Sequence, residues 1–487
     1  MNPWLVFSVV AGYFLLLIFI SYLTSRKSDT ASFFNGNKKS PWYLVAFGMI
    51  GASLSGVTFI SVPGWVGSSG FSYFQIVLGY LVGYFAIATV LLPLYYKLNL
   101  VSIYKYLAER FGNVSHKTGS AFFLLSRIIG ASFRLFLVAG VLQLAFFNAF
   151  HIPFVVTVIV TIFLIWIYTF RSGIKTIVWT DTLQTTFMIL AVVVSVVAIA
   201  KSLNLNFSGI IDTIKVNKQY SQMFFWDFAD KHFFVKDFIA GAFIAFVMTG
   251  LDQDMMQKNL TCKTLKESQK NVLSLSVILI PVNLLFLSLG VLLYVYANQS
   301  GIAIPEASDD LFPMLALNYF GTFAGITFLI GIIAAAFSSA DSALTALTTS
   351  FSVDFMKLDI EKNDKNTKKV KTLVHLGVSA TVVAVILIFK AINNDSVISQ
   401  IFKVAGYTYG PLLGLFIFGL TTKLKIRDKL VPLIAILSPI LSYFIAFLIE
   451  KHTSYKFGFE LLVMNGALTF LGLLIISYWK REKSYNL

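Results

Sequence analysis

Apolar runs of about 20 residues, each long enough to cross the hydrocarbon core of a bilayer, recur along the whole chain. Of all residues, 57% are hydrophobic and only 13% are charged. Because lipid satisfies no backbone polar group, these runs predict an all-α polytopic membrane protein. About thirteen transmembrane helices are predicted, at 3–24, 42–66, 72–98, 118–149, 153–170, 174–200, 236–258, 270–298, 319–350, 370–391, 398–421, 429–449 and 458–479.

Lysine and arginine cluster in every second connection between these runs, whereas 67–71, 150–152, 299–318 and 392–397 carry none. Because cytoplasmic connections carry the excess of basic residues, the alternation places the N-terminus outside and the C-terminus in the cytoplasm. The net charge of +15 then reflects topology, so no nucleic-acid partner is expected. The predicted location is a bacterial-type inner (plasma) membrane.

Signatures of enzymes are missing from the sequence: there is no P-loop, dinucleotide fingerprint or nucleophile elbow, and the histidines show no ligand spacing. The single cysteine, Cys262, excludes an intrachain disulfide. The chain is therefore predicted not to be an enzyme, and any uphill transport must draw on an ion gradient. An intramembrane enzyme using Asp181 and Asp341, or a membrane solute sensor, are the alternatives from other classes.

Small, hydroxylated and acidic residues interrupt the apolar run at 319–350. On a helix, Ser338, Asp341 and Ser342 share one stripe, and Ala335 extends it by one turn. Oxygen ligands suit hard cations, and a carboxylate at bilayer depth is costly without a partner, so the stripe predicts a cation site. The alternative is a packing seam of small residues whose serines bond to their own helix.

Two predicted spans have the composition of broken helices. The second contains Gly51 and Gly56 among serines, and the seventh contains Gly250 next to Asp252. Discontinuous helices at corresponding places in two halves indicate an inverted-repeat transporter with its site near the midplane. The expected organisation is a single transporter domain, 1–487, with an extra helix at 3–24, repeats at 42–200 and 236–421, and two further helices at 429–479.

Charged residues at membrane depth are the remaining candidates. Asp252 is predicted to contact a polar solute, whereas Asp254 is expected to interact with Lys258 four residues later. Arg127 and Arg134 lie on one helical face and could either hold a substrate carboxylate or neutralise the buried aspartates.

Asp181 lies about two turns into the membrane from the predicted cytoplasmic side. A carboxylate there needs a partner, and a cation pathway would provide one. The alternative is a salt bridge to Arg171 or Lys175.

The segment from Tyr168 to Gln184, with its Trp-Thr-Asp-x-x-Gln, resembles the signature of the sodium:solute symporter family, and Gly406-x-x-x-Gly410-Pro411 resembles the family's tenth core helix. The chain is similar to the sialic-acid, proline and sodium/galactose symporters of that family. The resemblance implies a LeuT-type 5+5 inverted repeat with one extra N-terminal helix, and Na+ as the coupling ion.

The resemblance also implies three sets of site residues. The main sodium site would use Gly51, Leu54, Ala335, Ser338 and Ser339. A possible second cation site would use Asp181, Ser338, Asp341 and Ser342. Asp341 replaces a serine of the relatives, which implies stronger sodium binding, a bound proton or another geometry. The substrate residues would be Ser53, Ser55, Thr58, Tyr73, Arg134 and Asp252, with Val77 in place of the relatives' substrate glutamine.

Taken together, the sequence predicts a sodium-coupled symporter that imports a small polar organic solute, such as a sugar or a sialic acid, by alternating access. The alternative within this class is an amino-acid or carboxylate symporter. The expected partners are the solute, sodium ions and the lipid bilayer, with the chain acting as a monomer.

Overall fold

The computed structural model describes residues 3–25, 40–100, 102–169, 174–358, 365–392, 397–453, 455 and 457–478. These residues form a bundle of α-helices, which confirms the predicted fold class. The extended structure assigned to strands in the described part is one antiparallel pair, β1 (Lys425–Ile426) with β2 (Ser477–Tyr478).

The helices are, in chain order, α1 (Pro3–Ser25), α2 (Trp42–Ser69), α3 (Ser72–Ala86), α4 (Leu92–Lys97), α5 (Lys105–Arg110), α6 (Asn113–Ala145), α7 (Phe154–Thr169), α8 (Ile174–Ser202), α9 (Phe207–Val216), α10 (Lys218–Ser221), α11 (Phe234–Ala245), α12 (Gln253–Asn259), α13 (Leu265–Gln299), α14 (Leu311–Asn318), α15 (Gly321–Ser350), α16 (Lys365–Ile392), α17 (Val397–Thr408), α18 (Gly410–Thr421), α19 (Val431–His452) and α20 (Leu461–Ile475). Three π-helical turns lie at Ile87–Leu91, Phe246–Gly250 and Phe351–Phe355.

Each predicted span coincides with helical structure. In the described part of the chain, nine helices are long and apolar enough to cross a bilayer, and eleven spans result when two bent pairs each count as one. Two shorter apolar helices, Phe154–Trp166 and Leu461–Ile475, lie at the remaining predicted positions. The total of thirteen spans stays a prediction.

The two helices predicted to be broken are broken. Helix α2 has a non-helical residue at Ser55, with φ 37° and ψ 173°. Helices α11 and α12 meet at an angle of 72°. A third break, of 48° between α17 and α18, was not predicted, although Pro411 at the start of α18 is a sequence signal for it.

Small residues bring the inner helices into backbone contact. A β-carbon at Gly79 of α3 would lie 2.1 Å from the carbonyl oxygen of Phe238 in α11, so only glycine permits this approach. Helices α2 and α8 pack against each other, and each also packs against α13 and α15. Most of the α15 side chains from Ile332 to Leu344 are fully buried.

Two connections predicted to be external contain short helices, as expected. The 202–235 segment carries α9 and α10, and the Asn206 side chain caps α9 by accepting the Gly209 N–H at 2.7 Å. The 299–318 segment carries α14, which has eight residues.

Candidate functional site

The break in α2 lies in the protein interior, since Leu54, Ser55 and Gly56 are all buried. Ser55 has a positive φ, a conformation that side chains rarely adopt and that surrounding structure must enforce. One turn earlier, the Gly51 N–H donates to Thr185 Oγ1 of α8 at 3.0 Å. A β-carbon at Gly51 would lie 2.3 Å from this oxygen. The turn of α2 that precedes the break is therefore held directly against α8.

The break between α11 and α12 is satisfied by side chains. Asp252 caps α12, since its Oδ1 accepts the N–H groups of Asp254 at 3.0 Å and Met255 at 3.2 Å. The carbonyls left free by the break accept two tyrosine hydroxyls: Tyr95 reaches Gly250 at 2.8 Å, and Tyr104 reaches Leu251 at 2.7 Å.

A buried ion-pair group lies behind this elbow. Arg127 of α6 contacts Asp254 and also Asp252, whose Oδ2 is 3.4 Å from Nη1. The Tyr409 hydroxyl donates to the same Asp252 oxygen at 2.9 Å. Asp254 interacts electrostatically with Lys258, as expected, but its direct ion pair is with Arg127, which the sequence analysis did not assign to it.

Asp181 meets a cation that the sequence analysis did not assign to it. Lys258 Nζ lies 2.9 Å from Asp181 Oδ2 and donates to Ser342 Oγ at 3.3 Å. The Ser338 hydroxyl donates to Asp181 Oδ1 at 2.6 Å. Asp181 and Lys258 are each 1% exposed. Arg171, one proposed partner of Asp181, lies outside the described residues, as does the side chain of Lys175.

The serine and aspartate stripe of α15 faces this interior. Ser338, Asp341 and Ser342 are all buried. Ser342 donates to Asp254 Oδ2 at 3.1 Å, which links the Asp181–Lys258 pair to the Arg127 group. Ser339 donates to the Ala335 carbonyl at 3.2 Å, so two residues assigned to the main sodium site are in contact.

The α15 stripe and the α2 break lie on facing helices. A β-carbon at Gly56 would lie 3.8 Å from Ala336 Cα. Gly51 and Leu54, the other residues assigned to the main sodium site, belong to the same stretch of α2. Their joint binding of sodium stays a prediction.

A central cavity of about 90 Å³ opens beside the α2 break. Five of the six residues predicted to bind substrate line it: Ser53, Ser55, Thr58, Tyr73 and Arg134. Asp252 is fully buried behind Arg127, which does line the cavity.

Among the described residues that line the cavity, Ser53, Arg127, Arg134 and Asn283 have buried polar atoms without a hydrogen-bond partner. Within the described part of the chain, Arg134 Nε and Nη1 are buried without a hydrogen-bond partner, and so is Asn283 Oδ1. Asn283 of α13 donates its Nδ2 to the Leu279 carbonyl at 2.7 Å, which leaves the oxygen for a ligand. Sequence reasoning missed Asn283, although a carboxamide two residues after Pro281 in an apolar span was a signal.

Aromatic side chains close the cavity toward the 202–235 segment. Trp65 contacts Tyr73, His232 and Phe459, with ring centroids 5.5–6.2 Å apart. Phe402 packs on Phe459 at 4.8 Å and stacks with Tyr73 at 6.3 Å. Since Tyr73 and Phe402 also line the cavity, this aromatic cluster forms its cover.

Comparison with known proteins decides the family. The profile of the sodium:solute symporter family matches residues 33–425. This chain belongs to the sodium:solute symporter family. It is a multi-pass membrane transporter that couples movement of a small organic solute to Na+, and it is not an enzyme.

Individual relatives of this symporter are distant in sequence. It is 24% identical over 421 residues to the sodium/sialic acid symporter NanT of Aliivibrio fischeri, covering 82% of this chain and 79% of the relative. It is 25% identical over 437 residues to the sodium-coupled monocarboxylate transporter 2 of Mus musculus, covering 85% and 67%.

The fold of the symporter is also shared with a solved structure. That structure is the substrate-bound outward-open state of a Na+-coupled sialic acid symporter, with a TM-score of 0.81, 21% identity and coverage of 96% and 97% of the two chains. The predicted family and LeuT-type fold are confirmed.

Proposed function

We propose that this symporter imports a small organic acid that carries a hydroxyl or amino group, and that Arg134 binds its carboxylate. The observation that carries the proposal is the Arg134 guanidinium, whose Nε and Nη1 are buried at the cavity without a partner among the described residues. Such a solute would satisfy both Arg134 and Asn283.

The two arginines of α6 are in different electrostatic situations. Arg127 already contacts Asp252 and Asp254. Arg134, two helical turns away, lines the cavity. A buried guanidinium is costly until an anion pairs with it, and its planar fork matches a carboxylate through two parallel hydrogen bonds. Binding energy for an anionic solute is therefore concentrated at Arg134.

An uncharged sugar fits this site less well, because it would leave the guanidinium without a counter-charge. Apart from Arg127, which is paired with aspartates, the other polar side chains of the lining are neutral. The hydroxyls of Ser53, Ser55 and Thr58 and the Asn283 oxygen are available to hydroxyl or amino groups of the solute. The relatives named for sialic acid and monocarboxylates act on acids, which supports the same class.

Sodium is proposed to bind between the α2 break and the α15 stripe, through the carbonyls of Gly51, Leu54 and Ala335 and the hydroxyls of Ser338 and Ser339. An unwound helix end offers carbonyl oxygens that hard cations prefer. Sodium bound there would favour the solute-ready state, so each ligand raises the affinity of the other by the same factor.

We also propose the topology inferred from the basic residues: N-terminus outside, C-terminus in the cytoplasm of a bacterial-type plasma membrane, and a monomer as the working unit. The two repeats are 42–200 and 236–421. Reporter fusions after α1 and after α20 would test the topology.

The test of the solute class uses matched ligand pairs. Purified protein in detergent at saturating sodium is screened by thermal shift with lactate and lactamide, and with N-acetylneuraminate and its methyl ester. At least one acid should stabilise the protein while its uncharged partner does not. Arg134→Met should weaken acid affinity roughly 30-fold or more, since breaking a buried charge pair costs about 2–5 kcal/mol.

Arg134→Lys should lose less affinity, and Arg427→Met, which removes an exposed arginine, should lose none. Equal stabilisation of wild type and Arg134→Met by an uncharged sugar would overturn the proposal.

A further inference from the structure

At the possible second cation site, Asp181 contacts the ammonium group of Lys258. We propose that the Lys258 ammonium occupies the place of a second sodium ion, so that one sodium binds to the wild-type symporter. This inference deepens the proposed function, since it rests on the main sodium site assigned above.

The surroundings of Lys258 Nζ are those of a bound cation. It donates to oxygens from two helices other than its own: Asp181 Oδ2 on α8 at 2.9 Å and Ser342 Oγ on α15 at 3.3 Å. Asp254 on α12 and Asp341 on α15 also interact electrostatically with it. An aspartate, a serine hydroxyl and a second carboxylate form an oxygen-rich, anionic site of the kind that selects hard cations.

The position of Lys258 in the chain explains how the ammonium reaches this depth. The short helix α12, on which Lys258 lies, follows the 72° bend after α11 and packs against α15. From there the Lys258 ammonium reaches Asp181 on α8. The side chain is 1% exposed, so it does not extend to the water at the membrane surface. A lysine near the end of a span is thereby turned inward.

Removal of the ammonium would leave an attractive site for an ion from solution. Asp181 would keep the Ser338 hydroxyl but lose its counter-charge. A buried carboxylate without a counter-charge is strongly unfavourable, so a monovalent cation should enter. Lys258→Met keeps much of the side-chain length while removing the charge, and it should therefore create one additional sodium site.

The test measures how many sodium ions each chain binds in the absence of solute. Binding of ²²Na+ to purified protein should give one site per wild-type chain and two for Lys258→Met. Lys258→Arg should keep one site because it keeps the cation. Lys258→Met with Asp181→Asn should also keep one, since this pair of changes removes both charges, and it is the variant expected to fold most readily.

Lys236→Met is the matched control, because Lys236 lies over the Tyr455 ring at 4.3 Å, away from Asp181. It should bind one sodium. Two sites in the wild type, or an unchanged number in Lys258→Met, would overturn the inference. If the wild type bound no sodium and Lys258→Met bound one, the proposed main sodium site would be wrong, whereas the inference that Lys258 replaces a sodium ion would stand.

Discussion

Ser338 donates its hydroxyl to Asp181 at 2.6 Å and thereby joins α15 to α8. Ser338 also belongs to the set of residues proposed to bind the transported sodium. One hydroxyl is consequently shared between the proposed sodium site and the Asp181–Lys258 ion pair. A substitution in the proposed sodium site should therefore alter the Asp181–Lys258 ion pair, and a substitution in the ion pair should alter sodium affinity.

Replacing Ser338 or Ser339 by alanine should weaken sodium activation while the protein stays folded. Each change removes one proposed ligand, and the loss of a hydrogen bond or ligand of this kind costs about 1–2 kcal/mol, or roughly 5- to 30-fold in affinity. The sodium dependence of uptake in proteoliposomes measures the effect. Ser195→Ala is the control, because the Ser195 hydroxyl bonds to its own helix at Ala191. Wild-type sodium dependence in both variants would contradict the assignment of Ser338 and Ser339 as sodium ligands.

Asp252→Asn should weaken solute affinity through Arg127, because Asp252 holds that cavity-lining arginine. Binding must be compared at saturating sodium, since linkage otherwise mixes the two affinities. Tyr409→Phe removes the other hydrogen bond to Asp252 Oδ2. In a double-mutant cycle of thermal unfolding, the two changes should couple by about 0.5–3 kcal/mol. Unchanged solute binding in Asp252→Asn would assign Asp252 a structural role, as the cap of α12 and the partner of Arg127 and Tyr409.

Asp309, in the 299–318 segment, should make stability depend on pH. Burial raises the pKa of Asp309 to about 6, although its carboxylate accepts the Val397 N–H at 2.8 Å. Because the folded state holds this proton more tightly than the unfolded state, the contribution of Asp309 to stability rises as pH falls through about 6 and levels off near the unfolded pKa of about 4.

The measurement for Asp309 is the difference in melting temperature between wild type and Asp309→Asn from pH 7.5 to 4.5. Wild type should gain relative to the variant as pH falls. Asp212→Asn, a change at an exposed residue of α9, is the control. A difference that stays constant with pH would contradict the prediction.

Trp65→Ala should open the cavity toward the predicted external side, because Trp65 contacts three members of the aromatic cover. A cysteine at Thr58, which lines the cavity, reports this in a Cys262→Ser background that carries no other cysteine. Its labelling by a membrane-impermeant thiol reagent should be severalfold faster with Trp65→Ala. Trp226→Ala, at an exposed tryptophan, should leave the rate unchanged.

The architecture was predictable because a membrane-spanning helix requires a local run of apolar residues, which can be recognised in the sequence. Runs of apolar residues gave the helix positions, and Gly51 and Gly250, each near polar side chains, indicated the two broken helices. The i, i+3, i+4 spacing of Ser338, Asp341 and Ser342 likewise placed them on one buried face.

Partners distant in sequence were not predictable in the same way. Lys258 and Asp181 are 77 positions apart, and a lysine at the end of a span is ordinarily expected at the water surface. Its inward direction depends on the angle between α11 and α12, which no local spacing specifies. Tyr95 and Tyr104, which bind the carbonyls freed at that bend, were likewise unrecognisable among 21 tyrosines.

The attachment of the Lys258 ammonium to the chain has an energetic consequence for transport. On the proposed stoichiometry, the tethered ammonium stays with the carrier and one Na+ crosses with one solute. For a hydroxy acid, whose net charge is −1, this movement is electroneutral, and the membrane potential, which acts with about 2.3 kcal/mol per elementary charge per 100 mV, adds nothing to accumulation. For a zwitterionic amino acid the same stoichiometry moves one net positive charge, so the membrane potential adds to the sodium concentration ratio.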